Sequence, residues 1–238
     1  MKIRMVACIY LLLGILSSDI TAQTKARIYL FPGQGSDYRI FQNLNFPPQY
    51  DTICISYPMP DKDEGLAEFA QRFVNETDTA QPFILMGVSM GGMICSELSE
   101  ILPAETIILI SSAKCQSELP MHYRFQSVFP VNDFVPPLIV KAGALFLQPL
   151  VEPDRNNNKE CFKSMLSSKS PIYLKRTADM IINWQKEDYS DKIIHIHGDA
   201  DNTLPLKNIK ADYILPGGSH MMTLTRAADL QVILDEIW

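Results

Sequence analysis

The amino-acid sequence predicts an α/β fold, with a mostly parallel sheet of about six strands, helices on both faces and a helical lid insertion. Three observations predict this fold. Short apolar runs alternate with segments of helical periodicity, which is typical of parallel strands joined by helices. Most of these runs are continuously apolar, as in strands that are covered on both faces. One interval, 113–186, holds no convincing strand and is too long for a simple connection.

The six apolar runs are predicted to be the strands. They are rich in β-branched, leucine and aromatic residues, and their lengths suit buried strands better than helices. In chain order they cover residues 27–31, 52–57, 82–88, 106–111, 192–197 and 211–215.

Three segments are predicted to be helices that cover the sheet. The second, 90–102, is stopped by Pro103, and the third, 223–238, ends the chain. The first, 64–75, has an apolar face at helical spacing, formed by Leu66, Phe69, Ala70 and Phe73.

The interval 113–186 is predicted to be a helical insertion between the fourth and fifth strands. It contains an apolar stretch at 134–150, a polar loop at 152–159 and a helix at 171–184. Long insertions are often functional, so we interpret this one as a lid. An ordinary helical excursion with no gating role is the alternative.

The first 22 residues are predicted to be a signal peptide, followed by one domain at 23–238. Lys2 and Arg4 precede an apolar run at 5–16, and a short stretch of small and polar residues leads to Ala22, where cleavage is expected. The run is short for a membrane span, and a retained N-terminal anchor is the alternative. The protein is therefore expected to be exported, to the periplasm or out of the cell.

Composition bounds the partners. The 238 residues are 47% hydrophobic and 20% charged, which is typical of a soluble globular protein. The net charge is −6 and no lysine or arginine cluster is present, so neither nucleic acid nor an anionic membrane surface is an expected partner. Export permits disulfides, and the sequence leaves undecided whether Cys115 and Cys161 form one. The spacing of the four cysteines that follow the signal peptide matches no zinc site.

The stretch "MGVSMGG" fits the pattern G-x-S-x-G through Gly87, Ser89 and Gly91. It follows an apolar strand and precedes a helix, which is the context of a nucleophile elbow. Ser89 would sit on a strained turn with its hydroxyl exposed, and the glycines would leave room for that turn. The backbone amide of Met90 would then help to bind an oxyanion at the helix N-terminus. A glycine-rich turn without chemistry is the alternative.

Two further loops supply an acid and a base. In "HIHGDADNTLP", Asp199 and Asp201 follow the fifth strand, where a catalytic carboxylate is expected, although turn aspartates can look the same. In "PGGSHMM", His220 follows the sixth strand and a Gly-Gly turn. The other histidines are interpreted as structural or as exposed loop residues: His122, His195 and His197.

The order of these residues is the strongest evidence. Ser89, then Asp201 or Asp199, then His220 is the chain order of the α/β-hydrolase triad. The chain from residue 23 onward resembles the α/β-hydrolase family. The matching motifs are "LFPGQG", "GVSMGG", "HGDADNTLP" and "GGSH".

The resemblance selects Asp201 over Asp199, because the family's motif is H-G-x-x-D-x-x-x-P. It also implies that the backbone amides of Gln34 and Met90 form the oxyanion hole. The sequence departs from the family at Pro32, where many members carry a histidine. It also leaves little room for the two antiparallel strands that open larger members.

"FPGQGS" also resembles the opening motif of acyl-carrier-protein acyltransferases. That family does not account for Asp201 or for the His220 loop. It expects a longer chain and a cytoplasmic acyl carrier, which conflicts with the predicted export.

The resemblance implies a serine hydrolase that cleaves an acyl ester of a small molecule through an acyl-enzyme, with no metal or organic cofactor. The predicted signal peptide implies that this hydrolase is exported. A thioesterase or a small amidase or peptidase would use the same triad, and a non-catalytic binding module with this fold is a further alternative. Part of the insertion is expected to line the acyl pocket, through Phe134, Leu138, Leu145 and Phe146.

Overall fold

The computed structural model describes residues 25–128, 131–151 and 158–238. The predicted signal peptide, 1–22, lies outside the described residues, and so does most of the predicted polar loop at 152–159. In the part of the chain that is described, no helix is both long and apolar enough to span a membrane.

Six parallel strands form one sheet, as predicted. The strands lie in the order β2-β1-β3-β4-β5-β6. The second strand is therefore at one edge, beside the first, and the later strands are added in sequence toward the opposite edge. Every neighbouring pair is parallel, and all carboxyl ends therefore meet at one edge of the sheet. The strands are β1 (Ala26–Phe31), β2 (Tyr50–Cys54), β3 (Phe83–Val88), β4 (Thr106–Ile110), β5 (Ile193–Gly198) and β6 (Tyr213–Leu215).

Eight α-helices connect and cover the strands in the described residues. They are α1 (Leu66–Gln71), α2 (Met90–Leu98), α3 (Met121–Val128), α4 (Pro137–Val151), α5 (Lys159–Ser168), α6 (Pro171–Ile182), α7 (Met222–Thr225) and α8 (Ala227–Ile237). Short 3₁₀ turns also occur, among them Tyr38–Phe41 directly after β1.

Both faces of the central strands are buried, which explains why β3 and β4 read as apolar runs. The edge strand β2 is mostly exposed. Alternate residues point to opposite sides. On one side, strand residues such as Tyr29 and Leu85 pack with α1, α2 and α6. On the other, residues such as Ile28 and Ile84 pack with the 3₁₀ turn after β1 and with α8.

Several predicted element ends were wrong, among them those of the first two helices, which end four residues early, at Gln71 and Leu98. Two further differences have a visible cause. The second strand ends at Cys54 rather than at residue 57, because Tyr57 turns away from the sheet and packs its ring against Phe69 and Phe73. The C-terminal helix is two helices, α7 and α8, which meet at Arg226. In both places the apolar pattern continues while the backbone changes direction.

The interval between β4 and β5 is helical, as predicted, and contains α3 to α6. Its last helix, α6, is part of the main core, where Met180, Ile181 and Trp184 are buried with residues of α1 and α2. Whether the insertion works as a lid stays a prediction.

The disulfide between Cys115 and Cys161, which the sequence left undecided, is not formed. All four cysteines among the described residues are free thiols: Cys54, Cys95, Cys115 and Cys161.

Candidate active site

Ser89 occupies the sharp turn between β3 and α2. Its φ is +53° and its ψ is −123°, a conformation that costs free energy for any residue with a Cβ. The turn is held in place by its neighbours: Ser89 N donates to Ile110 O over 3.1 Å, and the Ser112 hydroxyl donates to Ser89 O over 2.6 Å. The predicted nucleophile elbow therefore has the expected backbone.

The glycines on either side of Ser89 are required by close backbone contacts. A Cβ at Gly91 would collide with the carbonyl oxygen of Phe31, and a Cβ at Gly87 would collide with the backbone of Gly91. Neither neighbour is the flexible end of a side chain, so the backbone itself would have to move. The elbow thus needs glycine at both positions.

The structure brings the three predicted site residues together. His220 Nε2 lies 2.8 Å from Ser89 Oγ, and His220 Nδ1 lies 2.7 Å from Asp201 Oδ2. The acceptors assign the protons: His220 Nδ1–H donates to the carboxylate, and the Ser89 hydroxyl donates to Nε2. Asp201 and His220 are both buried.

The carboxylate of Asp201 is held by the backbone as well as by His220. Its Oδ1 accepts hydrogen bonds from Thr203 N and Leu204 N, over 2.8 and 2.7 Å. Burial alone would raise the pKa of Asp201, but the charge of His220 and these hydrogen bonds outweigh it, and the pKa lies below its usual range. Asp201 is therefore ionised at neutral pH.

Asp199, the other acid considered, lies elsewhere. It is exposed, and its Oδ1 accepts a hydrogen bond from Gly217 N. It therefore fixes the turn before His220 instead of contacting the imidazole.

Two glycines bring the acid loop and the histidine loop together. A Cβ at Gly198 would overlap the carbonyl of Gly218, and Ala200 N donates to that carbonyl over 3.0 Å. The end of β5 and the turn after β6 are thus in direct backbone contact. This contact places Asp201 next to His220 although 19 positions separate them in the chain.

The turn after β1 lies beside Ser89. A Cβ at Gly33 would be 3.2 Å from Ser89 Cβ, and Gln34 lines the same cavity as Ser89 and His220. Met90 is the first residue of α2, where backbone N–H groups have no partner within the helix. These positions are compatible with an oxyanion hole formed by the amides of Gln34 and Met90, which stays a prediction.

Side chains that the sequence did not single out hold this turn. Gln34 Nε2 donates to Leu174 O over 3.0 Å and to Thr177 Oγ1 over 2.9 Å, and both acceptors belong to α6. The Tyr57 hydroxyl donates to Pro32 O over 2.9 Å. Burial raises the pKa of Tyr57 well above its ordinary value, so this donor stays protonated. The residue that replaces the family's usual histidine is thus fixed through its carbonyl.

A cavity of about 300 Å³ opens at Ser89. Its described lining is neutral, with no lysine, arginine, aspartate or glutamate. The apolar part of the wall comes from the sheet side and from the insertion, and includes Ile40, Met93, Val140, Ala144, Leu147, Phe162, Met165, Leu166, Leu174 and Ile181.

None of the four insertion residues predicted to line the pocket is part of the cavity wall. Phe134, Leu138 and Phe146 are exposed and are not part of the cavity wall. Leu145 packs against the cluster of Leu166, Tyr173 and Leu174. The face of α4 that borders the cavity carries Val140, Ala144 and Leu147 instead.

The two strand histidines lie as interpreted, whereas His122 lies on a helix rather than in the expected loop. His195 and His197 are fully buried on β5, while His122 is exposed on α3 with its ring beside Tyr123. His197 nevertheless lies close to Asp201, with Nε2 3.3 Å from Oδ2, a proximity that the strand pattern alone does not reveal.

Similar solved structures share this architecture. An enol-lactonase from Burkholderia xenovorans LB400 is 12% identical over 91% of this chain and 92% of its own, with a TM-score of 0.69. MenH from S. aureus is 17% identical over 89% and 92%, with a TM-score of 0.66. An esterase from Exiguobacterium antarcticum is 17% identical over 89% and 91%, with a TM-score of 0.59. The chain has the α/β-hydrolase fold.

At identities this low, the structural likeness shows the fold alone, and the activity has to be argued from the site. No family model matches the sequence, and no curated protein matches it significantly. Within the α/β-hydrolase fold, the present chain places Ser89, Asp201 and His220 at the carboxyl edge of the sheet, after β3, β5 and β6.

The elbow geometry predicts opposite effects for two helical glycines. Gly91→Ala should lower the free energy of unfolding by about 3 kcal/mol, because the new methyl group meets backbone atoms. Gly143→Ala on α4 is the control, since a Cβ there meets nothing within 4 Å, and it should leave stability unchanged or raise it by about 0.5–1 kcal/mol. Urea unfolding of both variants measures the difference. Equal stability of the two would show that the turn after β3 can relax.

Proposed function

We propose that the protein is a serine hydrolase that cleaves a carboxylic ester through an acyl-enzyme. The observation that carries this proposal is the continuous hydrogen-bond chain from Ser89 Oγ through His220 to the buried carboxylate of Asp201. A nucleophile, a base within hydrogen-bond reach and a group that orients the base are the elements of nucleophilic catalysis.

Acylation begins when Ser89 Oγ attacks the ester carbonyl carbon and His220 Nε2 takes the hydroxyl proton. The tetrahedral intermediate collapses, the bond to the alcohol oxygen breaks, and the imidazolium returns the proton to the leaving alcohol. Water then attacks the acyl-enzyme in the same manner, gives a proton to His220, and the carboxylic acid leaves as Ser89 regains its proton. No net charge or electron is gained or lost.

Asp201 serves His220 in both steps. Its carboxylate accepts Nδ1–H, which leaves Nε2 unprotonated and aimed at Ser89. The negative charge also stabilises the imidazolium that forms during each transfer. Thr203 N and Leu204 N hold the other carboxylate oxygen, which restrains rotation of the acid away from the ring.

The developing oxyanion would be bound by the amides of Met90 and Gln34. The first amides of α2 carry a partial positive charge, and fixed donors of this kind act where charge appears in the transition state. The side chain of Gln34 supports this function indirectly, because its hydrogen bonds to Leu174 O and Thr177 Oγ1 fix the turn.

The acyl group is expected to be neutral and apolar. The described wall of the cavity offers no charged side chain, and burying a substrate carboxylate there without a partner would be costly. The volume of about 300 Å³ lies at the small end of ligand pockets, which suits an acyl chain of moderate length. Among the proteins of similar fold, one is an esterase and another an enol-lactonase, which supports ester chemistry.

We also propose that the enzyme is exported and acts in the periplasm or outside the cell. The basis is the basic start, the apolar run and the cleavage site within the first 22 residues. Ester hydrolysis by this triad depends on no cytoplasmic cofactor, so the proposed chemistry suits that compartment.

The neutral cavity predicts how the enzyme chooses between two matched esters. p-Nitrophenyl octanoate should be hydrolysed with kcat/KM about 100-fold above the mono-p-nitrophenyl ester of octanedioic acid, which has the same length and a terminal carboxylate. Ser89→Ala should lower kcat for the octanoate by about 10³-fold or more while the protein stays folded. Equal kcat/KM for the two esters would contradict an apolar acyl site, and an active Ser89→Ala variant would contradict the nucleophile.

The two loop acids should differ sharply in their effect on turnover. Asp201→Asn removes the charge and favours the wrong tautomer of His220, so kcat should fall by about 10⁴-fold, following the serine-protease precedent. Asp199→Asn is the matched control, because an amide oxygen can still accept from Gly217 N, and kcat should stay within about tenfold. Steady-state kinetics on one activated ester compare them. If Asp199→Asn lowered kcat more than Asp201→Asn, Asp199 would be the catalytic acid.

The contact between Gln34 and α6 should matter for the chemical step. Gln34→Leu keeps the backbone amide and removes both side-chain hydrogen bonds, so kcat should fall about tenfold. Thr177→Val should produce part of this loss, while Thr177→Ser keeps the acceptor and should resemble the wild type. If Gln34→Leu turns over the ester at the wild-type rate, Tyr57 and the turn's own hydrogen bonds suffice to hold it.

A further inference from the structure

Two buried histidines lie behind the carboxylate of the proposed triad. His195 and His197 are both 0% exposed and point to the same face of β5, two residues apart. Their rings are perpendicular, with centroids 5.2 Å apart, and His197 Nδ1 lies 3.3 Å from His195 Nε2. The mechanism described above uses neither ring. Buried polar groups are costly unless they are hydrogen-bonded, so the partners of these rings are informative.

The contacts of His197 place its proton on Nε2. That nitrogen lies 2.8 Å from Leu204 O and 3.3 Å from Asp201 Oδ2. Both neighbours are acceptors, so Nε2 carries the hydrogen. It donates this hydrogen to Leu204 O, and Asp201 Oδ2 is the more distant neighbour.

His197 is neutral, which fixes the direction of the next hydrogen bond. Burial lowers its pKa, and this effect outweighs the opposing charge of Asp201. A neutral ring with a proton on Nε2 has an unprotonated Nδ1, and this atom accepts from His195 Nε2–H. Burial lowers the pKa of His195 as well. His195 itself contacts no residue of the triad; its Nδ1 lies 3.9 Å from Glu118 Oε2, beyond hydrogen-bond distance.

The two oxygens of Asp201 therefore have different partners. Oδ1 receives two backbone N–H groups. Oδ2 receives His220 Nδ1–H at 2.7 Å and lies beside His197 Nε2–H. Without His197, the oxygen that faces the base would lose its neighbouring N–H, and Leu204, whose own N–H holds Oδ1, would lose the hydrogen bond to its carbonyl. Asp201 and His197 are both buried, where an unpartnered polar group is costly.

We propose that His197 is a positioning residue of the active site: its Nε2–H, which donates to Leu204 O and faces Asp201 Oδ2 at 3.3 Å, holds the carboxylate that orients His220. This inference rests on the proposed function, since it assigns a second contact to the acid of that triad. It does not make His197 an acid, a base or a substrate ligand, because its ring reaches Ser89 only through Asp201 and His220.

The test compares His197 with His195 by the same substitutions. His197→Leu should lower kcat for p-nitrophenyl octanoate about tenfold, because it removes the hydrogen bond to Leu204 O and the N–H that faces the charged carboxylate of Asp201. KM should stay within about twofold of the wild type, because the ring does not line the cavity. His195→Leu is the matched control: it lies on the same strand, is equally buried and should leave kcat within about threefold while lowering stability similarly.

A conservative variant separates positioning from packing. In His197→Gln, the amide nitrogen stands as many bonds from Cβ as Nε2 does, so it can donate to Leu204 O and Asp201 Oδ2 and should restore most of kcat. His197→Asn carries the same amide one methylene shorter and should not. Should His197→Leu fail to fold, the Gln and Asn variants decide the question on their own.

A second readout keeps this inference distinct from the substrate proposal. The rate at which a fluorophosphonate labels Ser89 reports how well the triad activates the nucleophile and does not depend on the natural ester. Labelling should slow in His197→Leu and recover in His197→Gln. A wild-type enzyme that is labelled but hydrolyses no ester would overturn the ester proposal and still leave the His197 comparison valid. Wild-type labelling and turnover in His197→Leu, or an equal loss in His195→Leu, would overturn the role of His197. A wild type that is not labelled at all would overturn both.

Discussion

The strained backbone of Ser89 is the constraint on which the rest of the site depends. A residue with a Cβ adopts φ +53° only where surrounding contacts enforce it, at a cost of about 1–3 kcal/mol. Here the enforcing contacts are the hydrogen bonds to Ile110 O and from Ser112 Oγ. They project the hydroxyl above the sheet and bring α2 so close to β1 that Gly91 faces the carbonyl of Phe31. Because α2 packs so closely against the end of β1, the turn that follows β1 lies beside Ser89.

The parallel sheet converts distant sequence positions into one site. Because all six strands run the same way, residues that follow β3, β5 and β6 emerge at the same edge. Parallel pairing alone would leave the loops free to diverge. The backbone contact between Gly198 and Gly218 fixes the last two loops against each other, and this contact brings the acid and the base together.

Much of this could be predicted from the sequence, for identifiable physical reasons. Strands buried on both faces must be apolar throughout, so runs such as "FILMGV" are visible without the structure. Ser89, Asp201 and His220 follow strands in a characteristic order, which made them recognisable together although their spatial contact is known only from the structure. Tyr57 extended an apolar run, and only its packing on Phe69 and Phe73 shows that the strand has already ended.

Other features could not be predicted, because an apolar sequence pattern does not show which neighbour each side chain faces. Helix α4, "PLIVKAGALFLQPLV", is apolar around most of its circumference, so its sequence does not say which face borders the cavity. Leu138 and Phe146 were expected to line the pocket, and both are exposed on this helix. For the same reason His197 in a buried strand suggested only a core residue, since its contact with Asp201 depends on the turn that brings the acid back over β5.

The two parts of the insertion differ in what a movement would cost. Displacing α6 would break the hydrogen bonds from Gln34 to Leu174 O and Thr177 Oγ1 and would expose Met180 and Trp184, which belong to the main core. Displacing α4 would break the Lys141 contacts with Ser167 O and Lys169 O and the smaller cluster around Leu166. Since α6 supports the proposed oxyanion turn while α4 contributes only a wall of the cavity, we expect any lid motion of the insertion to involve α4 rather than α6.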